Sequence, residues 1–276
     1  MGAPRERRTS RRMISLLATI GLAVWVVGIL GPAAAGVLNS CRARNLTQGT
    51  PSRSNLQGVI TAASPGDRIA VKFVCVGNFH IAKRLTLVGQ PTPHLPRAVL
   101  HANGRGRVLV VSARVTLTNL RITGGHVAYY GGGIRNTGIL TLKSTVVSGN
   151  TASYAGGIRN TGKLTLDGSS SVSGNTADFA GGIYNDGGTL TLNDSSSVSG
   201  NTASPDAGGI YNTGTLTLKD SSSVSGNTAS GAGGGIVSDG TVNGCDSSGV
   251  DEWIGTVEPN TPNDFLDSDV TLITCT

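Results

Sequence analysis

The sequence predicts an all-β chain, a right-handed parallel β-helix with a short N-terminal capping helix, on three observations. First, Ile134, Ile158, Ile183, Ile210 and Ile236 each follow a Gly-Gly pair and are spaced by 24, 25, 27 and 26 residues, a period that suits one coil of a solenoid. Second, the first four of these units carry a Leu-Thr-Leu alternation, the period of two expected of a strand with one buried face. Third, 41 glycines and only 4% aromatic residues in 276 suit short strands joined by tight turns.

Residues 1–35 read as a signal peptide. Arg5, Arg7, Arg8, Arg11 and Arg12 precede an apolar run over residues 13–30, followed by Pro32 and Ala33-Ala34-Ala35, the order of a charged head, an apolar core and a small-residue cleavage site. Arg11-Arg12 resembles a twin-arginine motif, but Ser15 and Leu16 replace its usual continuation, which points to ordinary Sec export. The alternative is an uncleaved N-terminal membrane anchor, since residues 13–38 are long enough to span a bilayer.

Residues 36–66 are expected to form an N-terminal cap, with one short amphipathic helix over residues 54–63 ended by Ser64-Pro65-Gly66. A solenoid needs such a cap because its terminal coil otherwise exposes strand edges and apolar core. Residues 67–125 read as irregular early coils, with Leu85-Thr86-Leu87 and the run from Val108 to Val111 as strands.

Residues 126–240 hold the regular repeats. Stacking places like above like, so the isoleucines, the paired leucines (Leu140/Leu142, Leu164/Leu166, Leu190/Leu192, Leu216/Leu218) and Val147, Val172, Val198 and Val224 should form three aliphatic ladders. Ser-Gly-Asn-Thr recurs at Gly149-Asn150, Gly174-Asn175, Gly200-Asn201 and Gly226-Asn227. Both glycine and asparagine tolerate the left-handed backbone of a sharp corner. These asparagines, and a second set at Asn136, Asn160, Asn185 and Asn212, are expected to ladder along the stack as structural residues. Thr116, Thr141, Thr165, Thr191 and Thr217 should form one outward row, but its neighbour (Thr118, Lys143, Asp167, Asn193, Lys219) does not repeat chemically, which argues against ice binding.

Residues 241–276 are assigned to a C-terminal cap. Cys41 and Cys75 lie near one end of the chain, Cys245 and Cys275 near the other. An even count in an exported protein favours disulfides, and because the stack separates its ends the expected pairs are Cys41–Cys75 and Cys245–Cys275. No Cys-x-x-Cys spacing exists, so neither a zinc site nor a redox centre is expected, and no other metal or cofactor.

These Gly-Gly-Ile, Asn-x-Gly-x-Leu-Thr-Leu and Val-Ser-Gly-Asn-Thr-Ala repeats resemble bacterial right-handed β-helix repeat proteins of the pectin-lyase-like superfamily, over residues 54–264. They are also partly similar to the passenger repeats of chlamydial polymorphic outer membrane proteins, without the alanine of Gly-Gly-Ala-Ile and without Phe-x-x-Asn. The resemblance implies a secreted or surface scaffold, and enzymatic members act on polysaccharides.

A lyase would need clustered carboxylates holding calcium near a basic residue, and a glycoside hydrolase paired Asp or Glu. Asp167, Asp178, Asp186, Asp194, Asp206 and Asp220 fall in different columns of the repeat, as turn aspartates do. His80, His94, His101 and His126 lack metal-ligand spacing, and no catalytic constellation emerges. The candidate ligand-binding residues are Arg135, Arg159, Tyr184 and Tyr211, which follow successive isoleucines and should stack outward. Arginine forks suit carboxylates or sulfates, while tyrosine faces suit sugar rings or a cation–π pair with Arg159.

Charge is unevenly spread: residues 36–125 carry 12 basic and 1 acidic residues, residues 126–240 carry 5 and 7, and residues 241–276 carry 0 and 7. Without the leader the net charge is only +2, so nucleic acid is not an expected partner. The expected function is an exported, non-catalytic surface scaffold, an adhesin or glycan-binding module; the alternative is a pectate-lyase-like polysaccharide-active enzyme. The expected partners are an acidic polysaccharide or envelope polymer, and a second copy bound head to tail.

Overall fold

The computed structural model describes residues 41–231, 233–245, 256–257 and 265–267. The signal-peptide or anchor reading of residues 1–35 and the Cys245–Cys275 pair therefore lie outside the described residues, the latter through Cys275. Among the described residues no helix is long and apolar enough to cross a membrane.

The chain winds into a parallel β-solenoid of about seven turns. Each regular coil visits four faces in order, as in Ile134–Asn136, Ile139–Lys143, Val146–Ser148 and Thr151–Tyr154. They are called here the Ile, Leu, Val and Ala faces, and among the described residues they hold eight, nine, eight and five strands. Register is strict: Ile134 pairs Ile158, Leu140 pairs Leu164 and Val147 pairs Val172. All three expected aliphatic ladders are fully buried.

The fourth face departs from expectation. The Thr-Ala of Gly-Asn-Thr-Ala, read as part of a corner, is itself a strand that points Ala152, Ala177, Ala203 and Ala229 inward. Small inward residues let this face lie close to the core.

Both asparagine ladders form. Asn136 Nδ2 donates to Asn160 Oδ1 at 2.7 Å, Asn160 to Asn185 at 2.7 Å, and Asn185 to Asn212 at 2.7 Å; the Asn150, Asn175, Asn201 and Asn227 set repeats this at 2.9–3.0 Å. The corner itself works differently from the expectation. The glycine alone takes the left-handed conformation, with φ of 64° at Gly149 and 61° at Gly174, so that the asparagine side chain turns inward to satisfy buried backbone groups such as Ile122 O and Val147 O. Ala155, Ala180 and Ala207 adopt φ of 58–60° at the opposite corner, and the Gly-Gly after them is sterically required: a Cβ at Gly157 would lie 2.5 Å from Gly182 O in the next coil.

The outward threonine row stands in register from Thr86 and Thr116 to Thr217. Beside it Lys143 Nζ pairs with Asp167 at 2.8 Å.

The N-terminal end is closed as expected. The helix Leu56–Ala62, capped by Asn55 whose side chain accepts from Gly58 N at 2.9 Å, buries Leu56, Val59 and Ile60. Lys83 Nζ reaches the helix C-terminus, donating to Thr61 O and Ala63 O. Strand Arg42–Asn45 runs antiparallel on Arg68–Lys72, and a Cys41–Cys75 disulfide with Cα atoms 4.4 Å apart ties it down. The outer edge of that strand is engaged by Arg53, through Ala43 N to Arg53 O and Arg53 N to Ala43 O.

Candidate functional site

The residue after each inward isoleucine points outward, and the register stacks Arg135, Arg159, Tyr184 and Tyr211 in one column of the Ile face. Around the adjoining corner the last residues of three Ala-face strands, Tyr130, Tyr154 and Phe179, form a second column. The tight turn through Gly131, Ala155 and Ala180 brings the two columns together.

The result is one strip of five rings. Tyr130 and Tyr154 have centroids 5.1 Å apart, Tyr154 and Phe179 6.0 Å, Phe179 and Tyr211 4.5 Å, and Tyr184 and Tyr211 5.2 Å. Tilted and edge-on contacts of this kind suit the ring quadrupoles. Arg159 sits within the strip. Its guanidinium stacks over the Tyr130 ring at 4.1 Å, and its Nη2 and Nε donate to Asp186 Oδ2 at 2.5 and 3.1 Å. The cation–π partner is thus Tyr130 and not the tyrosines of its own column, because those rings pack on one another.

Charges of both signs edge the strip. Arg107 lies against it, donating through Nε to Gly131 O at 2.8 Å and through Nη2 to Tyr130 O. Burial first, then the charges of Arg135 and Arg159, lower its pKa. Arg135 is exposed and in no ion pair among the described residues. Three carboxylates share the strip: Asp186 serves Arg159, while Asp239 and Asp206 lie by Tyr211. The phenols are kept neutral: burial, and next Asp186, raise the Tyr184 pKa, while burial and a hydrogen bond to Asp239 raise that of Tyr211 strongly. Such a surface offers flat apolar faces and fixed positive charge.

All four sequence-predicted residues are brought into one column. Arg107, Tyr130, Tyr154, Phe179 and Asp186 were missed. Tyr130, Tyr154 and Phe179 are themselves spaced by 24 and 25 residues, the repeat period, and that spacing was the signal. The aspartates serve turns and pairs: Asp194 accepts from Gly168 N at 2.9 Å and Asp220 from Asp194 N at 3.1 Å. His101 accepts from Asn103 N at 2.7 Å. Comparison of the chain with protein-family models, curated proteins and solved structures finds no match.

Proposed function

We propose that this chain is an exported, non-catalytic β-solenoid, kin to the pectin-lyase-like β-helix proteins its repeats resemble, that acts as an adhesive surface scaffold binding acidic glycans along the aromatic strip. The observation that carries the reading is the five-ring strip edged at its N-terminal end by the guanidiniums of Arg107, Arg135 and Arg159, of which Arg135 is in no ion pair among the described residues. Pyranose rings stack on aromatic faces, and a carboxylate or sulfate takes a free guanidinium fork. Export is supported by the leader composition and by the Cys41–Cys75 disulfide, which persists in oxidising compartments.

The test is a glycan array probed with residues 36–276, followed by product analysis on every glycan retained. Retention of uronate-bearing or sulfated glycans without cleavage is the expected result; shortened or unsaturated products would establish the polysaccharide-active enzyme instead. Arg135→Ala should lower affinity at least tenfold and leave the melting temperature in place, since its side chain is exposed and in no ion pair among the described residues. Arg159 is a poor probe because its loss also strands Asp186.

A further inference from the structure

The repeat is broken on the Val face by one insertion, residues 91–97, between the strands Leu85–Gln90 and Ala98–His101. Three prolines stiffen it, Thr92 and Leu95 bridge each other at 2.7 and 3.3 Å, and Asn119 Nδ2 holds Gly89 O and Pro96 O. The loop and the outward surface of the Val face border an open cleft of about 540 Å³, within the range of small-ligand sites. It lies on a different face from the aromatic strip and does not depend on it.

Its lining has two chemistries. Leu95, Pro96, Val99 and Val146 give apolar surface. Arg97 and Arg121 supply charge: Arg97 Nε donates to Ser144 O at 3.1 Å and Arg121 Nε to Ser148 Oγ at 3.2 Å. Among the described residues neither guanidinium has an acidic partner, and neither has a hydrogen bond from its terminal nitrogens. The Nε bonds fix the forks while leaving their carboxylate-facing edges open. No aromatic residue lines the cleft, so it lacks the flat face a sugar ring would stack on.

We propose that this cleft binds a compact aliphatic carboxylate, its charge on Arg97 and Arg121 and its hydrocarbon on Leu95, Val99 and Val146. Two sources share that chemistry, a free branched-chain acid and the C-terminus of a peptide ending in an aliphatic residue. Isotope-labelled protein titrated with 4-methylpentanoate, N-acetyl-leucine, N-acetyl-leucinamide and inorganic sulfate, and followed by amide NMR shifts, separates them. The expected result is saturable shifts at Val99, Arg121 and Val146 with one or both carboxylates, the stronger naming the source. The amide should bind at least tenfold more weakly. Arg121→Gln should weaken binding at least fivefold with unchanged melting, because Arg121 is exposed. Equal response to the amide, equal response to sulfate, no shifts at millimolar ligand, or full binding by Arg121→Gln would each overturn the proposal.

Discussion

Leu192 pairs in register with Leu166 and Leu218 in the coils on either side, and none of its surface is exposed. Leu192→Asp would place an unpaired carboxylate in an aliphatic column at a cost of several kcal/mol. The variant is expected to unfold or to melt at least ten degrees lower by circular dichroism. A melt within a degree or two of wild type would show that Leu192 is not inside. Residues of this kind were legible because a period of two leaves no ambiguity about which side chains share a face. The ionisation of Tyr184 and Tyr211 was not, because it depends on neighbours brought in from other coils. Folding raises the Tyr184 and Tyr211 pKa values above the ordinary phenol value of 10.0. The stability tied to their neutral forms is thus intact below pH 10 and is lost as pH rises through the raised values. In an ultraviolet phenolate titration these two tyrosines should ionise above the ordinary phenol value, and Tyr211→Phe should remove the last step.

At the scale of the element, the N-terminal cap is held by the helix, the antiparallel strand and the disulfide. Cys41 and Cys75 are 34 residues apart, and closing a loop of that size contributes about 3–4 kcal/mol by restricting the unfolded chain. Nearest-neighbour stacking confines the loss to the end of the solenoid. Replacing both cysteines by serine should therefore speed proteolysis within residues 41–66 by tenfold or more while the coils beyond Leu85 resist; uniform digestion would show that the cap and stack unfold as one. The helix, its position and this disulfide were all readable from the sequence, since a cap has local signals. The alanine strand and the aromatic corner were not. A strand of Thr-Ala is too short to show a period, and Ala155, Ala180 and Ala207 take a backbone conformation for which sequence reasoning expects glycine or asparagine.

For the whole molecule, in-register stacking converts sequence position into height along one axis, so the charge bias becomes a spatial one. The 12 basic residues of residues 36–125 all fall in the cap and first coils, against 5 basic and 7 acidic residues in the coils of residues 126–240, and strands Thr256–Val257 and Phe265–Asp267 extend the far end of the Val and Ile faces. With the first strand's outer edge taken by Arg53, contact between poles would rest on charge and not on strand pairing, and a head-to-tail contact that does not close makes filaments. Such assembly should be seen by light scattering at low salt and vanish at high salt, where exposed charges are screened beyond about 8 Å or less. Neutralising Asp264, Asp267 and Asp269 should abolish it, and Asp167 should be dispensable. A monomer at both salts and high concentration would leave the poles only the role of blocking edge pairing. One asparagine ladder bears on the charge of the first coils as well. In the column of Asn136, Asn160 and Asn185 each side-chain amide donates toward the following coil, so these dipoles align and polarise one another. As in a helix, aligned amides amount to partial charge at the two ends of the row, positive toward the C-terminal coils and negative toward the N-terminal ones. The guanidiniums of the first coils are then the counter-charges at the negative end of an axial electric field that the stacked amides themselves generate.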